Sequence, residues 1–122
     1  MAQRILLIED DSDIREQLKE YLGLLAPGSE ILTASNVAEA EKLLQEKSFS
    51  LVISDCLLPD GLACELLEGI SPGTPVIILT GYAEEEALQK VSSVFPGPLY
   101  LFKKPISLSE IGKIVQRHLK GV

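Results

Sequence analysis

Five times in 122 residues a short apolar run is followed by a stretch whose apolar residues recur at helical spacing, and this alternation constrains the fold more than any other feature. Ile5 to Ile8 form the first run. The next stretch, DSDIREQLKEYLGLL, carries Ile14, Leu18, Leu22 and Leu25, one stripe of an amphipathic helix. APGS breaks the chain, EILTA reads as a second strand, and NVAEAEKLLQE opens a helix with Asn36 and Glu39 in capping-box positions. LVIS is a third strand, LACELLEG a short helix, PVIILT a fourth strand and AEEEALQKVSSVF a helix. LYLF is the fifth strand, and SLSEIGKIVQRHL closes the series with Ser107 and Glu110 as a second capping box. Five strands alternating with five helices predict an α/β layer architecture with a parallel sheet. The first, third and fourth runs are almost wholly apolar, as strands covered on both faces are.

Composition narrows what such a fold can do. The length fits one domain, 1–122, and no tract rich in Ser, Gly or Pro is long enough to be a linker. No stretch approaches the roughly 20 apolar residues of a membrane span. The first run is too short for a signal-peptide core and meets Glu9, Asp10 and Asp11 at once, so a soluble, cytoplasmic chain is expected. With 18 acidic and 11 basic side chains the formal charge is −7, which repels nucleic-acid backbones and argues against direct nucleic-acid binding. Cys56 and Cys64 have neither the number nor the spacing of a zinc site and are read as reduced, buried, small apolar residues. Arg117 to Val122 are expected to fray.

In parallel α/β sheets ligands sit outside the carboxyl ends of the strands, beside the point where strand order reverses. Glu9 and Asp10 follow the first strand, Asp55 ends the third, Thr80 ends the fourth and Lys104 lies just beyond the fifth. Taken singly, each has an ordinary explanation. Glu9, Asp10 and Asp11 suit the positive end of the first helix, Asp11 as its cap, while Asp55 suits a turn. Thr80 is a β-branched strand residue, and Lys104, like Lys103, is a surface charge. Gathered at one sheet edge, they form an acid cluster with an exposed aspartate, a hydroxyl and an ammonium. Crowded carboxylates repel and favour a hard cation such as Mg²⁺, and a carboxylate can act as nucleophile to form an aspartyl phosphate.

The stretches ILLIEDD, LVISDCLLPDG, VIILTG and KKP, in this order and spacing, resemble the response-regulator receiver domains of two-component signalling, and the resemblance covers essentially the whole chain. It implies a doubly wound, flavodoxin-like five-stranded parallel sheet of order 2-1-3-4-5 with five helices. It makes Asp55 the phosphoacceptor, Asp10 a direct Mg²⁺ ligand, Glu9 its acidic companion acting through water, and the Leu57 backbone carbonyl a further ligand. Thr80 and Lys104 would each bond a phosphoryl oxygen. The donor would be a phosphohistidine on a sensor histidine kinase or histidine phosphotransfer protein, and the response a change in the face formed by the fourth helix and fifth strand, read by an unknown output partner.

Such a domain carries phosphate and is not itself an enzyme. The Lys104–Pro105 bond is commonly cis in this family. Two positions depart from the usual pattern. Leu101 stands three residues before Lys104 where an aromatic is usual, so switching is expected to rely on Thr80 and residues 81–84. Tyr82, two residues after Thr80, implies slow loss of the phosphoryl group. The same residues also suit a receiver module of a larger hybrid kinase or transcription regulator. A haloacid-dehalogenase phosphatase requires an aspartate where Leu57 stands, and a flavodoxin-like flavin binder has no use for the acid cluster and Lys104.

Overall fold

The side chains of Ile5, Leu6, Leu7 and Ile8 are all fully buried at 0% exposure, which a strand achieves only when both faces of its sheet are covered. The computed structural model describes residues 3–71, 73–80, 98–103 and 107–119. In chain order these form β1 (Arg4–Ile8), α1 (Ser12–Leu25), β2 (Glu30–Ala34), α2 (Val37–Glu46), β3 (Leu51–Asp55), β4 (Leu57–Leu58), β5 (Gly61–Leu62), a 3₁₀ helix (Ala63–Gly69), β6 (Val76–Thr80), β7 (Leu99–Lys103) and α3 (Leu108–His118). The main sheet has five strands in the order β2-β1-β3-β6-β7, all parallel, with Ile5 opposite both Ile31 and Leu51. Numbered among themselves, these strands run 2-1-3-4-5, the doubly wound order expected.

Side chains that alternate along each strand feed two separate cores. Leu6, Ile8, Val52 and Ile78 pack with Val37 and Ala40 of α2 and with Leu66 and Leu67 of the 3₁₀ helix. Ile5, Leu7, Ile53 and Ile77 pack with Leu18 and Leu22 of α1 and with Ile111 and Val115 of α3. Burying each such Leu or Ile stabilises the fold by roughly 1.5–3 kcal/mol. Cys56 lies in the first core as a small apolar residue, as expected.

The helix ends follow local chemistry. Asp11 caps α1 as expected, its Oδ1 accepting from the Asp13 and Ile14 amides at 2.9 and 3.1 Å. Pro27, directly after the C-cap Ala26, has no amide proton with which to continue the helix. Asn36 accepts from the Glu39 amide at 2.8 Å, while the Glu39 carboxylate reaches the Ser35 amide at 3.3 Å, one residue earlier than in a standard capping box. Ser107 caps α3 through the Glu110 amide at 3.4 Å.

Two elements differ from the expectation. LACELLEG is a 3₁₀ helix over Ala63–Gly69, and no side chain caps it. It buries Ala63 with Leu66 and Leu67 with Ile70, pairs three residues apart that eclipse on a three-residue turn. Leu57–Leu58 and Gly61–Leu62 form a small antiparallel hairpin around Pro59 and Asp60, too short for alternation to reveal. The helix expected over AEEEALQKVSSVF lies outside the described residues, as do the Lys104–Pro105 bond and the last three residues.

Candidate phosphoacceptor and metal site

The order of the sheet reverses between β1, which turns back to β2, and β3, which continues toward β6. The carboxyl ends of β1 and β3 therefore open at the switch point. Carboxylate oxygens of Glu9, Asp10 and Asp55 lie there within 4.8 Å of one another. Glu9 is 2% exposed and Asp55 7%, while Asp10 is exposed. The site is thus a shallow acidic floor with one carboxylate at its rim.

Several backbone bonds hold this floor. The Glu9 amide donates to the Ala34 carbonyl at 3.0 Å, extending the β1–β2 pairing to the site. The Asp10 amide donates to Glu9 Oε2 at 3.1 Å, and Arg15 Nη1 to the Glu9 carbonyl at 2.9 Å. One turn of α1 thus returns a cation to the backbone of the acid cluster. On the other side the Ser54 hydroxyl donates to the Asp55 carbonyl at 2.8 Å, and the Cys56 amide donates to the Leu79 carbonyl at 2.8 Å.

Thr80 is buried at the end of β6 and stands opposite Lys103 in the register with β7. Lys103 is exposed. Leu57 is 56% exposed, two residues beyond Asp55 at the start of the hairpin. Glu9, Asp10 and Asp55 are brought together, with Thr80 and Leu57 each placed at the carboxyl end of a strand or just beyond it. Lys104 and residues 81–84 lie outside the described residues.

Three contacts have no local signal in the sequence. Asp60 Oδ1 accepts from the Val37 amide at 2.7 Å and Oδ2 from the Ala38 amide at 3.0 Å, so a turn residue caps a helix 22 and 23 residues away. The bond from Val37 holds the Asp60 carboxyl below its usual range, against a smaller opposing effect of desolvation. Arg15 reads as a solvated helix charge until its bond to Glu9 is seen. Tyr100 packs with the α1 and α3 core, and its hydroxyl lies 2.7 Å from His118 Nε2. Leu101 packs on the opposite face, as the one-residue offset requires.

The donor set of the acid cluster is all oxygen, the chemistry that suits a small hard divalent cation and not zinc or copper.

The response regulator receiver domain family matches residues 5–116. Over 122 residues the chain is 33% identical to the response regulator protein PilR of Pseudomonas aeruginosa, covering 97% of this chain and 26% of that protein. A response regulator receiver domain protein from Clostridium thermocellum has the same fold, with TM-score 0.83 and 26% identity over 96% of this chain and 94% of that one. The receiver domain of a Pseudomonas aeruginosa sensor histidine kinase, solved with a magnesium ion in its active-site cleft, shares the fold at TM-score 0.76 and 24% identity, over 97% of this chain and 98% of that one. The chain spans between 25% and 55% of the length of four curated relatives it matches. With the family's sheet order and an acid cluster at its switch point, the chain belongs to the response regulator receiver domains, the phosphoacceptor modules of two-component signalling.

Proposed function

We propose that Asp55 is the phosphoacceptor of this domain and that Glu9, Asp10, Asp55 and the Leu57 carbonyl hold Mg²⁺ beside it. The observation that carries this reading is the convergence of the three carboxylates within 4.8 Å at the ends of β1 and β3. Like charges this close repel, and a divalent cation relieves the repulsion. The magnesium in the related kinase receiver domain supports the choice of ion. Bound there, Mg²⁺ would draw charge from the phosphoryl oxygens during transfer.

The chain's own residues do the rest. An Asp55 carboxylate oxygen forms the new O–P bond while the P–N bond to the donor imidazole breaks, its electron pair returning to the ring nitrogen. The Thr80 hydroxyl donates to one phosphoryl oxygen and the Lys104 ammonium pairs with another, so each meets part of the charge on the transferring group. The donor is a phosphohistidine on a sensor histidine kinase or histidine phosphotransfer protein. The phosphoryl group stays on the domain, which is a switch and not an enzyme, and the response passes to an unknown partner through the face formed by β7 and the helix expected before it.

Residues 1–122 form a single receiver domain acting in the cytoplasm. Among the described residues no helix is long and apolar enough to cross a membrane. A second reading, a receiver module within a larger kinase or transcription regulator, is favoured by the share of its relatives' length that the chain spans.

Metal dependence tests the site. Phosphorylation by acetyl phosphate should require Mg²⁺ and stop in EDTA, and Asp10→Ala should abolish both metal binding and phosphorylation while keeping the circular dichroism of the wild type. Undiminished phosphorylation in EDTA would overturn the proposal.

A further inference from the structure

Asp60 sits at the tip of the β4–β5 hairpin, yet its carboxylate is spent on another element. Both oxygens grip the first turn of α2, from the Val37 and Ala38 amides, at 2.7 and 3.0 Å. These two amides have no partner within the helix, and the helix's own cap, Asn36, serves only the third, on Glu39. Bonds from amides to an ionised carboxylate are among the stronger ones.

The grip closes a ring around the acid cluster. The β2–α2 connection that Asp60 holds begins at Ala34, whose carbonyl accepts from the Glu9 amide at 3.0 Å. The Glu9 carboxylate in turn accepts from the Asp10 amide at 3.1 Å. In the other direction the chain runs from Asp60 back through Leu57 to Asp55, with the hairpin stapled at its base by the Cys56 amide on the Leu79 carbonyl and the Ala63 amide on the Cys56 carbonyl, both 2.8 Å. Leu57 lies between that staple and the Asp60 anchor. Without Asp60 the hairpin would keep its base bonds and the buried Leu58 side chain but lose its tether to α2, leaving the Leu57 carbonyl freer to move relative to Glu9 and Asp10.

We propose that Asp60 is a positioning residue for the cation site: by clamping the hairpin to α2 it sets where the Leu57 carbonyl stands relative to Glu9 and Asp10. The proposal rests on the reading of that site given above. A cap that only stabilised α2 would leave metal affinity alone, and this difference separates the two roles.

The test is a calorimetric Mg²⁺ titration of the whole chain, with initial rates of acetyl phosphate labelling measured across the same Mg²⁺ range. Asp60→Ala should weaken Mg²⁺ binding by about tenfold, the lower end of the usual loss when a residue supporting a metal ligand is removed. Labelling should slow at low Mg²⁺ and return toward the wild-type rate at saturating Mg²⁺. Asp60→Asn, which keeps one accepting oxygen and guards against an alanine variant that does not fold, should lose part of the affinity. Asn36→Ala removes a cap from the same helix turn without touching the hairpin and should bind Mg²⁺ as the wild type does. Wild-type affinity in every Asp60 variant that folds, or an equal loss in Asn36→Ala, overturns the positioning role and leaves the site standing. A wild type that binds no Mg²⁺ overturns both.

Discussion

Glu9, Asp10 and Asp55 differ in how far water reaches them, and this sets what each can do. Glu9 is nearly sealed, its Oε2 already accepting the Asp10 amide, so it shapes the site from beneath. Asp10 is exposed and open to a hydrated ion. Far from this edge, His118 is the one imidazole of the chain. Burial first, then the Arg117 charge beside it, holds its pKa below 6.5. Because the folded value is lower than the unfolded one, the stability that neutral His118 contributes is complete above about pH 6.5 and is lost as pH falls through that value toward the folded pKa. The Tyr100 hydroxyl lies 2.7 Å from Nε2 and donates to it in the tautomer that leaves this nitrogen bare, an acceptance closed to the imidazolium. Ring-proton NMR should give a His118 midpoint below 6.5, and Arg117→Gln should raise it. A downward shift in that variant would contradict the assignment of cause.

Among elements, α1 and α3 approach closely because Gly112 has no side chain. A Cβ there would stand 2.6 Å from the Tyr21 hydroxyl and 3.3 Å from Leu25 Cδ1. Alanine in place of a helical glycine ordinarily gains about 1 kcal/mol. Gly112→Ala should therefore give no such gain in the wild type but should give it in a Tyr21→Ala background, as read by urea unfolding of the four proteins. Equal effects in both backgrounds would mean that the contact does not limit packing.

Elements also mark what the sequence could reveal. Apolar runs such as Ile5–Ile8 and Leu51–Ile53 announce strands because burial on both faces leaves no room for polar residues. Asp11 and Asn36 announce helix starts because the groups they cap lie within three residues. Asp60 looks like a turn residue, since the amides it caps are far away in the chain and no local spacing encodes that meeting. The 3₁₀ pitch of Ala63–Gly69 is likewise a response to packing that composition does not distinguish from one α-turn pair.

For the whole molecule, the position of the site follows from the winding of the sheet. Chain alternation makes the strands parallel, parallel strands bring their carboxyl ends to one edge, and the reversal beside β1 opens that edge between Glu9 and Asp55. The acid cluster was therefore legible as soon as strand ends were assigned. The tethers behind it, Arg15 on the Glu9 carbonyl and Asp60 on α2, were not, because they depend on how layers meet. Sheet register also separates Leu101 from Tyr100. Leu101 pairs with Ile78 on the face that Thr80 continues two residues later, whereas Tyr100 turns to α3 and His118. Tyr100 is thus engaged elsewhere and does not take the place of an aromatic at Leu101.

Whether Asp55 alone accepts a phosphoryl group is decided by intact-protein mass after incubation with acetyl phosphate and Mg²⁺. The wild type should gain a single phosphoryl adduct and Asp55→Asn none. An equal adduct on Asp55→Asn, or none on the wild type, would contradict Asp55 as the acceptor.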